Sequence, residues 1–198
     1  MKNNTSIESS NKIYLRVGVV FAMIFAVAFS RFLSPIHNFS PLGAVGLFGA
    51  AYFAKKWQAF LIPIAVIFLS DLFINNVVLH QYYPEFTWFY EGFYWQYGSY
   101  LLITLMGIFL FKKINTSRVV AGALLSTVLF FVISNFGSWA TGVMYPKTLD
   151  GLVACYIAGI PFIKGTLMGT LFYSALMFGS FSLAQSQIPA LQYSRIRS

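Results

Sequence analysis

Apolar residues run along this chain in blocks separated by short polar breaks, not in the alternating stripes of a soluble fold. The blocks cover about 17–33, 42–54, 57–73, 97–111, 119–140, 152–160 and 165–183. A helix needs about 20 residues to cross about 30 Å of hydrocarbon. The first, third, fifth and last blocks approach or reach that length, and the fourth reaches it if Tyr94 and Trp95 extend it into the interface. The second block is short, because its 13 residues rise only about 20 Å at about 1.5 Å each. Counting it as a span, the pattern predicts an all-α, polytopic transmembrane bundle of six spans, with five as the alternative. The polar stretch 1–12 reads as a disordered cytoplasmic tail, 13–184 as one membrane domain and 185–198 as a second cytoplasmic tail. Pro161 is expected to interrupt the segment between Gly151 and Lys164.

Charge placement tests the count. The positive-inside rule puts Lys and Arg on the cytoplasmic side. With an inside amino terminus, the inside segments hold Lys2, Lys12, Arg16, Lys55, Lys56, Lys112, Lys113, Arg118, Arg195 and Arg197. The outside segments hold only Arg31, Lys147 and Lys164, ten against three of the 13 cations. Six spans therefore give both termini inside, whereas five would put Arg195 and Arg197 outside. The basic start, apolar centre and Ala26-Val27-Ala28 of the first block also fit a cleaved signal peptide. Against cleavage stand a long amino-terminal region and an apolar run that continues past Ala28.

Composition agrees. Only 9% of residues are charged and 58% are hydrophobic, whereas a soluble domain carries about 25% charged residues. The net charge of +8 would suggest nucleic acid in a soluble protein. Here it follows from topology, so no nucleic-acid partner is expected. With a single cysteine, Cys155, no internal disulfide or cysteine-based zinc site can form. His37 and His80 lack metal-ligand spacing, and neither a phosphate-binding Gly-Lys loop nor a nucleophile elbow is present. No cofactor, no metal and no enzymatic activity are expected.

Of the five acidic residues, only Asp71 falls in an apolar span. A charge there is costly and faces the protein interior or a wet cavity. Arg31, Lys164 and Asn135 fall in the same outer layer by position. Asp71 is therefore either the ion-pair partner of Arg31 or Lys164, fixing helices, or part of a ligand site. Asn38-Phe39-Ser40-Pro41 reads as a helix start, with Ser40 capping and Pro41 first in the helix. Gly18, Ala22, Ala26 and Ser30 form a four-residue repeat on span one, and Gly43, Gly46 and Gly49 a three-residue repeat on span two. Such faces let helices approach closely. Eleven of the 19 residues from Tyr82 to Tyr100 are aromatic, which reads as an interfacial belt or as a lid over an outer cavity.

Taken together, several motifs carry a family resemblance. They are Arg31-Phe32-Leu33, Asn38-Phe39-Ser40-Pro41 with Gly43-Ala44, Leu47-Phe48-Gly49, Leu69-Ser70-Asp71, Ser134-Asn135-Phe136-Gly137 with Trp139, Ala154-Cys155-Tyr156 and Ile160-Pro161-Phe162. Over about 31–178 the chain resembles a family of small bacterial membrane proteins classed as a domain of unknown function. That family is in turn distantly similar to the substrate-binding S components of energy-coupling-factor vitamin transporters. The resemblance implies a multi-pass protein of the bacterial inner membrane that binds a small, vitamin-like ligand near the outer face. It also implies docking, through Ala22 and Ala26 of the first helix, on a transmembrane coupling subunit served by an ATPase. The candidate ligand residues are Asp71 and Asn135 as hydrogen-bonding groups, Arg31 or Lys164 as the balancing charge, Asn38 beside the second span and Trp139 as an aromatic wall. The cavity is expected between spans one, two, three, five and six. The other reading is a structural or assembly membrane protein whose polar layer only fixes helix packing. An intramembrane enzyme would need a reactive pair such as Asp71 with His37.

Overall fold

The computed structural model describes residues 2–31 and 38–192, with side chains from Ser10 onward. His37, Arg195 and Arg197 lie outside the described residues. Among these there are six α-helices and no strand: α1 (Lys2–Ser30), α2 (Leu42–Tyr52), α3 (Lys56–Phe73), α4 (Phe93–Leu110), α5 (Thr116–Thr141) and α6 (Leu149–Gln187). A π-helical turn, Ile74–Val78, continues α3, and a 3₁₀ turn, Pro189–Gln192, follows α6. Four stretches are long and apolar enough to cross a membrane: Ser10–Ser30, Lys56–Val78, Thr116–Thr141 and Leu149–Gln187. They carry many exposed large apolar side chains, among them Phe21, Leu61, Val128 and Phe172. That is the surface expected of a membrane protein.

The short α2 is the pillar of the bundle. Ten of its eleven residues are buried, and it packs against all five other α-helices. At about 1.5 Å per residue it is only about 16 Å long, but its neighbours surround it. The three-residue glycine repeat explains how. Gly43 faces Thr170 of α6 and Ser126 of α5, Gly46 faces Thr104 and Ile103 of α4, and Gly49 faces Pro63 and Ala59 of α3. Gly107 of α4 returns the fit by seating the Ala50 methyl. On either side of Gly49, Phe48 and Tyr52 pack on Phe178 and Phe181 of α6, and Arg16 of α1 lies over the Tyr52 ring.

Three local expectations change. α6 runs unbroken through Pro161 over 39 residues, so the interruption expected between Gly151 and Lys164 is absent. Proline removes one backbone hydrogen bond, and the long packing face that α6 shares with α5 holds the helix across it. Its start is fixed by the Thr148 hydroxyl, which accepts from the Gly151 N–H at 3.2 Å. α1 begins at Lys2 and takes in the polar stretch expected as a tail. Part of the carboxy-terminal stretch also folds back: Leu191 is fully buried against the bundle, and Gln185 donates to its carbonyl at 3.0 Å.

The glycine contacts give a direct test. A Cβ on Gly49 would stand 2.7 Å from the Pro63 ring, whereas one on Gly18 meets nothing within 4 Å. Gly49→Ala is expected to destabilise the protein by about 1–3 kcal/mol, the usual range for overpacking. Gly18→Ala is expected to be neutral or slightly stabilising. Thermal unfolding of both variants in detergent micelles checks the pair.

Candidate functional site

At the end of the bundle away from the Lys55–Lys56 turn, the chain gathers its buried polar groups. Arg31, just past the end of α1, donates from Nη2 to Asp71 Oδ1 of α3. The Tyr97 hydroxyl of α4 donates to the other carboxylate oxygen at 2.6 Å. Asp71 is only 4% exposed, so these two donors hold a carboxylate that water barely reaches. Of the two partners considered for Asp71, Arg31 is the one it meets. Lys164 is exposed on α6 and forms no salt bridge among the described residues.

Three residues after Asp71, at Ile74, the helix widens into the π-helical turn. Asn76 in that turn pins the following loop by a two-way contact with Thr87: Nδ2 donates to the Thr87 carbonyl at 3.0 Å, and Oδ1 accepts from the Thr87 N–H at 2.7 Å. The pinned loop brings Tyr90 beside the ion pair. Burial pushes its phenol above the usual tyrosine range, with neighbouring Tyr100 and Asp71 adding to the effect and Arg31 opposing it. The aromatic stretch thus contributes Tyr90, Tyr97 and Tyr100 to this end of the bundle, while Tyr82, Phe86 and Trp88 stay exposed.

Beside the ion pair lies a cavity of about 160 Å³. Arg31, Asn38 and Ser40 reach it from the connection between α1 and α2, and Leu42 and Gly43 from the first turn of α2. Gln96, Tyr100 and Ile103 come from α4, Ser126 and Phe130 from α5, and Thr166 and Thr170 from α6. α4 thus takes the place in the wall expected of the third span, because α2 packs directly on α4 through Gly46 and carries the cavity with it. Asp71 acts behind the wall, through Arg31.

Two backbone features shape the entry to α2. Asn38 has φ 59°, a left-handed conformation that asparagine tolerates better than most residues. The backbone at Phe39 and Ser40 then passes over Gly169 of α6, where a Cβ would come within 2.6 Å of the Ser40 nitrogen. Helix α2 starts at Leu42, so Pro41 occupies the cap position and gives no side-chain cap. The Ser40 hydroxyl lies 3.4 Å from the Leu42 N–H, one residue further out than expected.

Arg31, Asn38 and Asp71 therefore come together among the sequence candidates. Asn135, Trp139 and Lys164 lie outside the cavity wall. Asn135 donates to its own helix at Phe131 and packs against Gly159 of α6. Trp139 fastens the α5–α6 turn, donating from Nε1 to the Pro146 carbonyl at 2.9 Å, with the Lys147 ammonium 5.9 Å from its ring. Ser126, Thr166 and Thr170 went unnoticed in the sequence, although hydroxyls within apolar spans are a visible signal. Ala22 and Ala26 are exposed on α1 together with Gly18, while Ser30 turns inward to the Tyr173 hydroxyl. Among the described residues no group of three His, Cys, Asp or Glu could hold a metal ion.

Residues 11–191 match a family of unknown function, DUF6580. The chain belongs to this family. No curated protein and no solved structure matches it. The match covers α2 to α6 and all of α1 from Asn11 onward, and ends in the 3₁₀ turn that packs back on the bundle.

The ion pair makes a quantitative prediction. Removing one partner of a buried pair leaves an uncompensated charge, a loss of about 3–5 kcal/mol, whereas replacing both with apolar groups is often neutral. Asp71→Leu is therefore expected to lower unfolding stability by that order, and Arg31→Met together with Asp71→Leu to recover most of it. A double-mutant cycle measured by unfolding in micelles decides the matter.

Proposed function

We propose that the protein is the membrane-embedded binding component of a small-molecule uptake system, with its ligand site in the cavity beside Arg31. The observation that carries this reading is a cavity inside an otherwise apolar bundle into which Arg31, Asn38, Gln96 and several hydroxyls bring polar groups beside apolar ones. Helix packing alone would favour filling such a space with aliphatic groups. In the proposed arrangement six helices cross a bacterial inner membrane with both ends in the cytoplasm. Ten cations against three support that orientation. The chain carries no phosphate-binding Gly-Lys loop, so transport would require a coupling subunit and an ATPase. The exposed Gly18, Ala22 and Ala26 face of α1 is the proposed docking surface, as the resemblance to S components implies.

Size narrows the ligand. A cavity of about 150 Å³ in another protein takes benzene, so about 160 Å³ suits a molecule on the order of six to eight non-hydrogen atoms. That is smaller than most vitamins. The alternative is a structural or assembly protein, favoured by the way Asp71 and Arg31 satisfy one another without a ligand.

Two measurements bear on the proposal. Ser126→Leu should fill the cavity from α5 and abolish ligand-induced thermal stabilisation without lowering the unliganded melting temperature by more than about 4 °C, the shift of about 1 kcal/mol. A small-molecule screen by melting temperature that finds no ligand for the wild type would favour the structural alternative. For orientation, single cysteines placed on a Cys155→Ser background should label from opposite sides. Lys113→Cys should react with an impermeant maleimide only after the membrane is opened, and Lys147→Cys in intact cells. The reverse pattern would overturn the orientation.

A further inference from the structure

We infer that the cavity beside Arg31 takes a small monocarboxylate, held between the guanidinium, the first turn of α2 and the hydroxyls of Thr170 and Tyr100. The inference rests on the proposed binding function and names the chemistry of its ligand. No acidic side chain lines the cavity among the described residues. Arg31 reaches the cavity and carries five N–H donors, with Asp71 engaging Nη2. The first turn of α2, at Leu42 and Gly43, opens on the same space. The Ser40 hydroxyl takes the Leu42 N–H at 3.4 Å, and the positive end of the helix dipole lies beside the cavity that Gly43 lines.

The hydroxyls give an independent indication. Thr170 is 2% exposed and Tyr100 5%, and neither hydroxyl has a hydrogen-bond partner among the described residues. Hydroxyls inside apolar helices normally bond the carbonyl one turn back. Thr104, Thr127 and Thr141 do so here at 2.8–2.9 Å. Thr170 instead points at α2, its Oγ1 lying 3.0 Å from where a Cβ on Gly43 would stand. Both residues line the cavity, so two donors with no protein acceptor among the described residues stand ready for an acceptor within it. A carboxylate is acceptor-only, with about four lone-pair sites, and its charge suits both the guanidinium and the helix start. A cation offers these donors no acceptor, and a neutral amide offers one acceptor oxygen where a carboxylate offers two.

The test uses the full chain in detergent micelles. Two- to five-carbon monocarboxylates are titrated calorimetrically, each beside its primary amide. At least one acid is expected to bind saturably and roughly tenfold or more tighter than its amide, the size of a hydrogen-bond contribution to a charged group. Thr170→Val, which keeps shape and removes the oxygen, should weaken that acid roughly tenfold and leave the melting temperature of the unliganded protein unchanged. Amides binding as well as acids, or an unaltered affinity in Thr170→Val, would overturn the inference. If the melting screen instead finds only neutral or cationic ligands, the carboxylate assignment fails while the binding function stands. If it finds none, both fail.

Discussion

A helix too short to cross a bilayer can sit inside one only if other helices enclose it on every side. α2 meets that condition through three glycines that face three different directions, toward α3, toward α4 and toward the α5–α6 pair. Each contact brings another helix's side chain to where a Cβ would stand. Without a hydrophobic driving force in lipid, such close packing is a main source of helix association. The position of every other helix follows from this pillar. So does the cavity, which forms where α2 begins and its surrounding helices are no longer filled by it.

The two ends of α2 then differ in chemistry. Toward the Lys55 end, aromatic rings of α2 and α6 interlock and leave no space, with Phe48 and Phe181 fully buried. Toward the other end, the chain supplies hydroxyls, amides and a guanidinium. The Arg31–Asp71 pair anchors that polar end. Charges in a low-dielectric setting are tolerated only when paired and hydrogen-bonded, and Asp71 is held by both Arg31 and Tyr97. The pair joins the end of α1 to α3 and α4. It thereby presents Arg31 to the cavity without exposing the carboxylate there.

The loop after α3 completes this end of the molecule. Asn76, in the π-helical turn, substitutes its side-chain amide for a strand partner and fastens Thr87. This contact holds the segment that brings Tyr90 near the ion pair, while Tyr97 reaches Asp71 from α4 and Tyr82, Phe86 and Trp88 stay exposed.

The sequence by itself determined the all-α class, the apolar blocks, the exposed charge clusters and Asp71 as the residue that needed a partner. These follow from composition and spacing, because each block must satisfy its own backbone in a helix. It also marked the α2 glycines as a packing face. Only the tertiary structure decided that Asp71 pairs with Arg31 and not Lys164, that α6 continues through Pro161, and that Asn135 and Trp139 serve the α5–α6 contact. Those outcomes depend on which helix faces which, and a linear pattern does not encode rotation about a helix axis. The cavity wall depended on it most. Thr170 and Tyr100 resemble any other polar or aromatic residue in an apolar run until α2 is packed against α4 and α6.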